Sequence, residues 1–353
     1  MISGDAKDGN FIFSPPSIHI LLSLITAGAR GRTLDQLLLF LKSNRVNDLS
    51  SLAAHLGQVV LADGASRSSP SLSFVNGAWV DRSMPLKTEF REVLEGFYKA
   101  NTKQVDFKNE AGEVVREVNW WVEKETNGLI KDILDDDSVK PYTRFLLANA
   151  IYFKGAWAVK FSASDTQEKD FHLLTGSSVK APFMTSREMQ YLAEFDDFKV
   201  LNLAYNQGED YERLFSMSIF LPMRKMVCQH WHINWFPGLA ASLMNTSHGK
   251  KFMIEFAFFK HQGFTEMVDS PEGKDLFVSE IYHKSRIEVN EEGTEAAAAT
   301  VVIVQLQCLS ATRVVPRIDF VADHPFLFVV RETFSRVVLF IGHVLNPADQ
   351  GLG

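Results

Sequence analysis

A chain of 353 residues with 46% apolar content has enough material for a large core, in one large domain or two. Its net charge of −7 and the lack of a basic block weigh against nucleic acid as a partner. Two cysteines, Cys228 and Cys308, are too few for a disulfide framework and suit a reducing compartment, and no apolar run approaches the ~20 residues of a membrane span. The first ten residues are polar and lack the apolar stretch of a signal peptide, so a cytoplasmic location is expected, with an extracellular one left open.

In chain order, Ser14 before Pro15 predicts a helix start, with cap and first-turn proline. That helix runs through Ile18, Leu21, Leu22 and Ile25 and stops near Gly28. Thr33 with Gln36 reads as a capping box for a helix over Leu34–Leu41, and Leu49–Leu61 reads as another. A loop at 66–70 precedes a strand over Leu72–Val80 that carries Gly77 inside it. Phe90–Tyr98 is an amphipathic helix, Gln104–Phe107 a short strand, and Val114–Leu134 the longest predicted helix. Phe145–Phe153 is a continuous apolar strand, expected to be central and buried on both faces. Further strands are expected near Phe171, Val179, Tyr191, Val200, Phe215, Phe252, Phe277 and Val337. Helices come first and strands dominate later, which predicts an α+β protein. No repeat or linker divides the chain, so a single domain over residues 1–353 is expected.

Motifs for catalysis are lacking. There is no Gly-x-Ser-x-Gly elbow, His-Glu-x-x-His pair, phosphate-binding loop or dinucleotide fingerprint, so an enzyme is not expected and no cofactor is implied. Cys228, His230 and His232 alternate and on a strand would share a face. No fourth ligand is evident nearby, so an irregular loop without metal is the expectation there. Asn245-Thr246-Ser247 is a glycosylation sequon of the kind that arises by chance.

The stretch from His283 to Phe328 is different in kind. Arg286–Asn290 alternates as a half-buried strand does, Glu291, Glu292, Gly293, Thr294 and Glu295 break the pattern, and Ala296, Ala297, Ala298 and Ala299 carry no bulk. Thr300–Val304 is β-branched and favours strand. One reading is an Ala-rich surface helix running into an edge strand. The other is a segment with two homes: an exposed, protease-accessible loop, or a strand whose inward set (Thr294, Ala296, Ala298, Thr300, Val302 and Val304) is small or β-branched enough to enter a sheet.

This stretch resembles the hinge and reactive-centre loop of a serpin, and EEGTEAAAAT with DFVADHPFLF is similar to the plant branch of that family. Phe11–Gly31, Leu146–Trp157, Ser216–Pro222, Thr265–Ser270 and Leu339–Pro347 resemble further serpin blocks, in serpin order. The resemblance implies a large central β-sheet with additional sheets, N-terminal helices and an exposed reactive-centre loop over about 291–317, with some helices of the family missing. It implies a suicide inhibitor that traps a serine or papain-like cysteine protease in a covalent one-to-one complex. A monomer with neither nucleic acid nor membrane as partner is expected. Counting the hinge glutamate Glu291 as the first residue, the bond after the seventeenth is Gln307–Cys308, with Leu306 and Gln305 beside it for recognition. Cleavage after Leu306 is the competing register. Ser14, Ser17, Asn149 and His283 match a buried polar cluster that latches the central sheet, and Trp157 and Lys251 match the top of that sheet, where a Lys251–Glu291 pair is expected. Without the resemblance, Ser14 reads only as a helix cap and His283 only as a strand-edge histidine. Three stretches depart from the family: the short segment before Phe11, the dissimilar run over 223–251, and the abrupt passage from Phe259 to Thr265. They keep open a second reading, a non-inhibitory storage or binding protein that cannot insert its loop.

Overall fold

The computed structural model describes residues 9–62, 70–223, 252–253, 263–270, 276, 281–287, 289–294 and 319–349. Strand β1 (Phe11–Phe13) leads into α1 (Pro15–Ala27), α2 (Gly31–Phe40) and α3 (Val46–His55), which runs on into a π-helical turn at Leu56–Val60. Then come β2 (Ser71–Asp81), α4 (Thr88–Gly96), β3 (Ala100–Val105) and α5 (Ala111–Glu125). The second half is mainly strands: β4 (Phe145–Ala156), β5 (Gln167–His172), β6 (Ser178–Phe183), β7 (Tyr191–Glu194), β8 (Phe198–Ala204) and β9 (Phe215–Pro222). After them come β10 (Phe252–Met253), β11 (Ile281–Ile287), β12 (Gly293–Thr294), β13 (Phe326–Glu332) and β14 (Val338–Val344). The order of helices and strands is that of an α+β protein.

Helix α1 is buried on nearly every side, because it is an internal helix rather than a surface one. Ile18, Ile20, Leu21, Leu22, Leu24 and Ile25 are all buried, and the helix packs against both β14 and β4. Pro15 and Pro16 open it with φ already set. The side chain of Ser14 makes no cap bond; its Oγ is buried without a hydrogen-bond partner. The capping box expected at Thr33 and Gln36 does not form either. Helix α2 starts at Gly31, so both residues lie within it, and Gln36 Oε1 is buried without a partner.

Helix α5 ends at Glu125, nine residues before the predicted end at Leu134. Asn127 (φ 52°) and Gly128 (φ 80°) take left-handed conformations, and Gly128 N–H donates to Glu123 O at 2.7 Å. Ile130, Ile133 and Leu134 keep the apolar spacing that suggested helix. Instead they belong to a non-helical segment whose side chains join the core formed by α5 and β4.

Two six-membered strand sets organise the chain. One sheet runs β1-β14-β13-β9-β8-β7; the other runs β10-β11-β4-β2-β3, with β12 also paired to β4; β5 and β6 form a separate pair. Strand β4 is the axis of the second sheet. Phe145 through Phe153 are buried on both faces, as the uninterrupted apolar run required. Phe145, Leu147, Ile151 and Phe153 face the core that holds α1, whereas Leu146, Ala148, Ala150 and Tyr152 face α5.

Candidate functional site

The site is the seam along β4. Strand β11 pairs with it in parallel, from Ile281 opposite Leu147 to Ile287 opposite Phe153. There the two strands part. The last residues of β4 are taken instead by β12, in antiparallel register, with Gly293 opposite Ala156 and Thr294 opposite Gly155. Between β11 and β12 the chain reverses through a turn. Asn290 N–H donates to Gly293 O at 2.7 Å, and Asn290 Oδ1 accepts from the backbone N–H groups of Glu292 (3.0 Å) and Gly293 (3.1 Å). Gly293 sits at φ 144°, and a Cβ there would stand 2.3 Å from Gly155 O. Only glycine fits this approach of one backbone to another.

Backbone and side-chain contacts fix the turn on the top of the sheet. Trp157 donates from its N–H to Glu292 O and from Nε1 to Asn290 O, each at 2.9 Å, while Phe161 N–H donates to Glu291 O at 2.8 Å. The Trp157 ring is buried and stacks on Tyr205 with centroids 4.5 Å apart. Thr166 Oγ1 donates to Glu291 Oε1 at 2.7 Å, and this bond holds the Glu291 carboxyl below its usual range. Lys160 lies 3.8 Å from Glu292; both side chains are more than a third exposed, so the pair contributes little, about 0–1 kcal/mol. Thr166 was invisible from sequence, because it lies 125 positions from Glu291 in a connecting loop. Lys251, expected as the partner of Glu291, lies outside the described residues.

Lower on the seam, a chain of hydrogen bonds crosses three strands and α1. Asn149 Oδ1 accepts from Ser17 Oγ and from His283 Nδ1 (2.7 Å), and Asn149 Nδ2 donates to Asn76 Oδ1 at 2.7 Å. Asn76 Nδ2 donates onward to Tyr98 O at 2.9 Å. Because Asn149 Oδ1 can only accept, the proton of His283 sits on Nδ1, and Nε2 accepts from Ser285 Oγ at 2.7 Å. Burial pushes the His283 pKa down to about 3, so the ring is neutral. His283 stands directly opposite Asn149 across the β4–β11 pairing. Ser17, Asn149 and His283 are thus brought together, and Ser14 is buried beside them in sequence but shares no bond. Sequence reading missed Asn76 and Ser285. The first is the one amide within the apolar strand β2 and the second lies two residues after His283 on the same face, signals that a search for polar residues at buried strand positions would have caught.

The remaining sequence expectations fall elsewhere. The bond Gln307–Cys308, its neighbours Gln305 and Leu306, the hinge residues from Glu295 to Thr300, and the trio Cys228, His230 and His232 all lie outside the described residues. Among the described residues no group of three or more His, Cys, Asp or Glu is arranged to hold a metal ion.

A buried helix beneath a sheet, a hydrogen-bonded polar cluster across the β4–β11 seam and a glycine turn docked on the end of β4 together define an architecture that can be compared with known families. The family comparisons identify it. The sequence profile described as "Serpin (serine protease inhibitor)" matches residues 1–234 and 250–347, and the chain belongs to the serpin family. It is 46% identical to Serpin-ZX of Arabidopsis thaliana, over 98% of this chain and 94% of that one. It is 45% identical to Serpin-ZXA of Oryza sativa subsp. japonica, over 96% and 90%. Among solved structures it resembles Arabidopsis AtSerpin1 in its native stressed conformation, with a TM-score of 0.81 and 44% identity over 97% of this chain and 92% of that one. The profile passes over residues 235–249, within the run that sequence reading had marked as dissimilar.

Proposed function

We propose that this chain is an irreversible suicide inhibitor of serine or papain-like cysteine proteases, with Gln307–Cys308 as its bait. The protease's Ser Oγ or Cys Sγ attacks the Gln307 carbonyl carbon. The C–N bond to Cys308 breaks, the new amine of Cys308 takes a proton from the protease's general acid, and Gln307 remains as an acyl-enzyme. With its far end free, the hinge continues the pairing that β12 has begun. Extending the register of Thr294 opposite Gly155 brings Ala296 opposite Phe153, Ala298 opposite Ile151 and Thr300 opposite Asn149. These residues face α1, where only small or β-branched side chains fit a filled core. Val302 and Val304 follow, opposite Leu147 and Phe145. Insertion exchanges the parallel β4–β11 pairing for antiparallel ones, which are slightly more stable per residue. The released energy drags and distorts the protease before water can deacylate it. The chain acts as bait rather than as catalyst, and binds its target one to one as a monomer.

The observation that carries this reading is the hinge itself, already hydrogen-bonded to β4 in the antiparallel sense that insertion needs. A second reading, a serpin-fold storage or binding protein that cannot insert its loop, is favoured by the profile's gap over 235–249. A denaturing gel after mixing with papain, and separately with chymotrypsin, decides between them, read beside residual protease activity because a thioester adduct is labile. A higher-mass band or lasting loss of activity supports the trap. Clean cleavage near Gln307 with full protease activity overturns it.

A further inference from the structure

Strand β4 ends at Ala156 and β5 begins at Gln167, and the connection between them brackets the hinge turn. Both of its ends are fixed. At the start, Ala158 N–H donates to Ala204 O at 2.9 Å, and Trp157 holds Asn290 and Glu292. At the end, Thr166 Oγ1 holds the Glu291 carboxyl. Between them Phe161 N–H donates to the Glu291 carbonyl, and Lys160 Nζ lies 3.8 Å from Glu292 Oε2. The tip of the connection is Ser162, Ala163 and Ser164, all three exposed. It turns through a short 3-10 helix at Ala163–Asp165, where Asp165 N–H donates to Ser162 O at 3.0 Å, and the Ser162 and Ser164 hydroxyls meet at 2.7 Å. Ser162 Oγ is thus presented to solvent, one residue from a backbone donor to the hinge and two from the hinge's cation. Of the hydroxyls at 162, 164 and 166, that of Ser162 has a carboxylate three residues on, at Asp165; the third residue after Ser164 is Gln167, and after Thr166 it is Lys169. The run from Ser162 to Glu168 carries Asp165 and Glu168 and no basic residue, a charge pattern that a kinase with a basic substrate cleft selects.

We propose that Ser162 is a phosphorylation site for an acid-directed serine/threonine kinase, and that phosphate there loosens the hinge from the top of the sheet. Ser162 Oγ attacks the γ-phosphorus of ATP, the bond to the β–γ bridging oxygen breaks and ADP leaves, and the hydroxyl proton passes to the kinase's catalytic carboxylate. The product carries a charge of about −1.5 to −2 at neutral pH. Two residues away, Lys160 faces Glu292 across 3.8 Å, and both of those side chains are more than a third exposed. A flexible lysine in that position is drawn to the stronger anion, so the phosphate takes the cation from Glu292. The phosphate also adds like charge to a corner that already holds Asp165, Glu291 and Glu292. Both effects act against the docked turn, and the backbone bonds from Trp157 to Glu292 and from Phe161 to Glu291 open more often. The docked hinge alone is required for this, so the site stands or falls separately from strand insertion.

The test incubates the purified full chain with an acid-directed serine/threonine kinase and magnesium ATP, beside Ser162→Ala and Asp165→Asn, and locates phosphate by mass spectrometry. Ser162 is expected to carry the phosphate, and Asp165→Asn to take it up about tenfold more slowly, as for one ion pair lost to the kinase. Amide hydrogen exchange at Trp157 and Phe161, the two backbone donors to the hinge, should then quicken about fivefold in the phosphorylated chain, the scale of one exposed charge pair lost. Loss of intact chain to limiting chymotrypsin, counting cut and trapped forms together, should quicken with it. Lys160→Met without phosphate should reproduce part of the gain. A wild type phosphorylated elsewhere but bare at Ser162 overturns the site. Phosphate on Ser162 with unchanged exchange at Trp157 and Phe161 overturns the loosening. A hinge that loosens on phosphorylation in a chain that traps no protease supports the site and removes only insertion.

Discussion

Asn149 is the residue on which the latch converges, since one amide serves Ser17, His283 and Asn76 at once. Replacing it by alanine leaves buried donors and acceptors on three elements without their partner, and each such group costs about 1–3 kcal/mol. Asn149→Ala should therefore lower the urea midpoint of the intact protein by the equivalent of about 3 kcal/mol, allowing for partial rescue between Ser17 and His283. A change within ~0.5 kcal/mol would mean the network is ornamental. His283 adds a pH dependence whose sign follows from its environment. Its pKa is about 3 in the folded chain against an ordinary 6.5, so between these values the unfolded chain binds the extra proton. Stability from this group is complete above pH 6.5 and is lost as pH falls below it, by up to about 1.4 kcal/mol per pH unit. His19, whose pKa burial also lowers, acts in the same sense. Denaturant titrations from pH 7 to 5 should show the wild type weakening and His283→Gln weakening less. A variant slope equal to that of the wild type would remove His283 from the account.

At the scale of the element, the hinge is the point where one side chain decides the outcome. On the insertion mechanism proposed above, Thr294, whose backbone already pairs opposite Gly155, leads the hinge into the sheet. Thr294→Arg puts an unpaired guanidinium there, at a cost of several kcal/mol. The variant should still be cleaved by its protease but yield no stable adduct on a denaturing gel; an adduct would mean that insertion past this point is not the mechanism. Gly293→Ala acts one step earlier, because its Cβ has no room against the Gly155 carbonyl, and it should release β12 from β4 and speed cleavage of the loop. Unchanged cleavage would contradict that docking. The elements were unequally legible. The uninterrupted apolar run marked β4, and Ser14-Pro15-Pro16 marked α1, because both signals are local. The end of α5 was misplaced because Ile130, Ile133 and Leu134 keep a helical spacing within a non-helical segment, and the left-handed pair Asn127–Gly128 ends the helix before them. The start of α2 was misplaced because a Thr-x-x-Gln pattern reports a cap only where the helix begins.

At the scale of the whole molecule, the sequence pattern reached the fold class and the half of the latch that repeats a family block. It did not reach Asn76 or Thr166, since each is defined by a partner far along the chain: 73 positions from Asn76 to Asn149 and 125 from Thr166 to Glu291. Long-range partnership of this kind carries no periodic signature. On the mechanism proposed above, the intact sheet is kinetically trapped rather than at its most stable. The direct measurement is the melting temperature of the purified chain before and after a single proteolytic cut within residues 295–318. The trapped-sheet account predicts a large rise, because the freed hinge completes the sheet and nothing else changes. An unchanged or lowered melting temperature after cutting would contradict it, and would leave a serpin fold whose loop is bait without a trap.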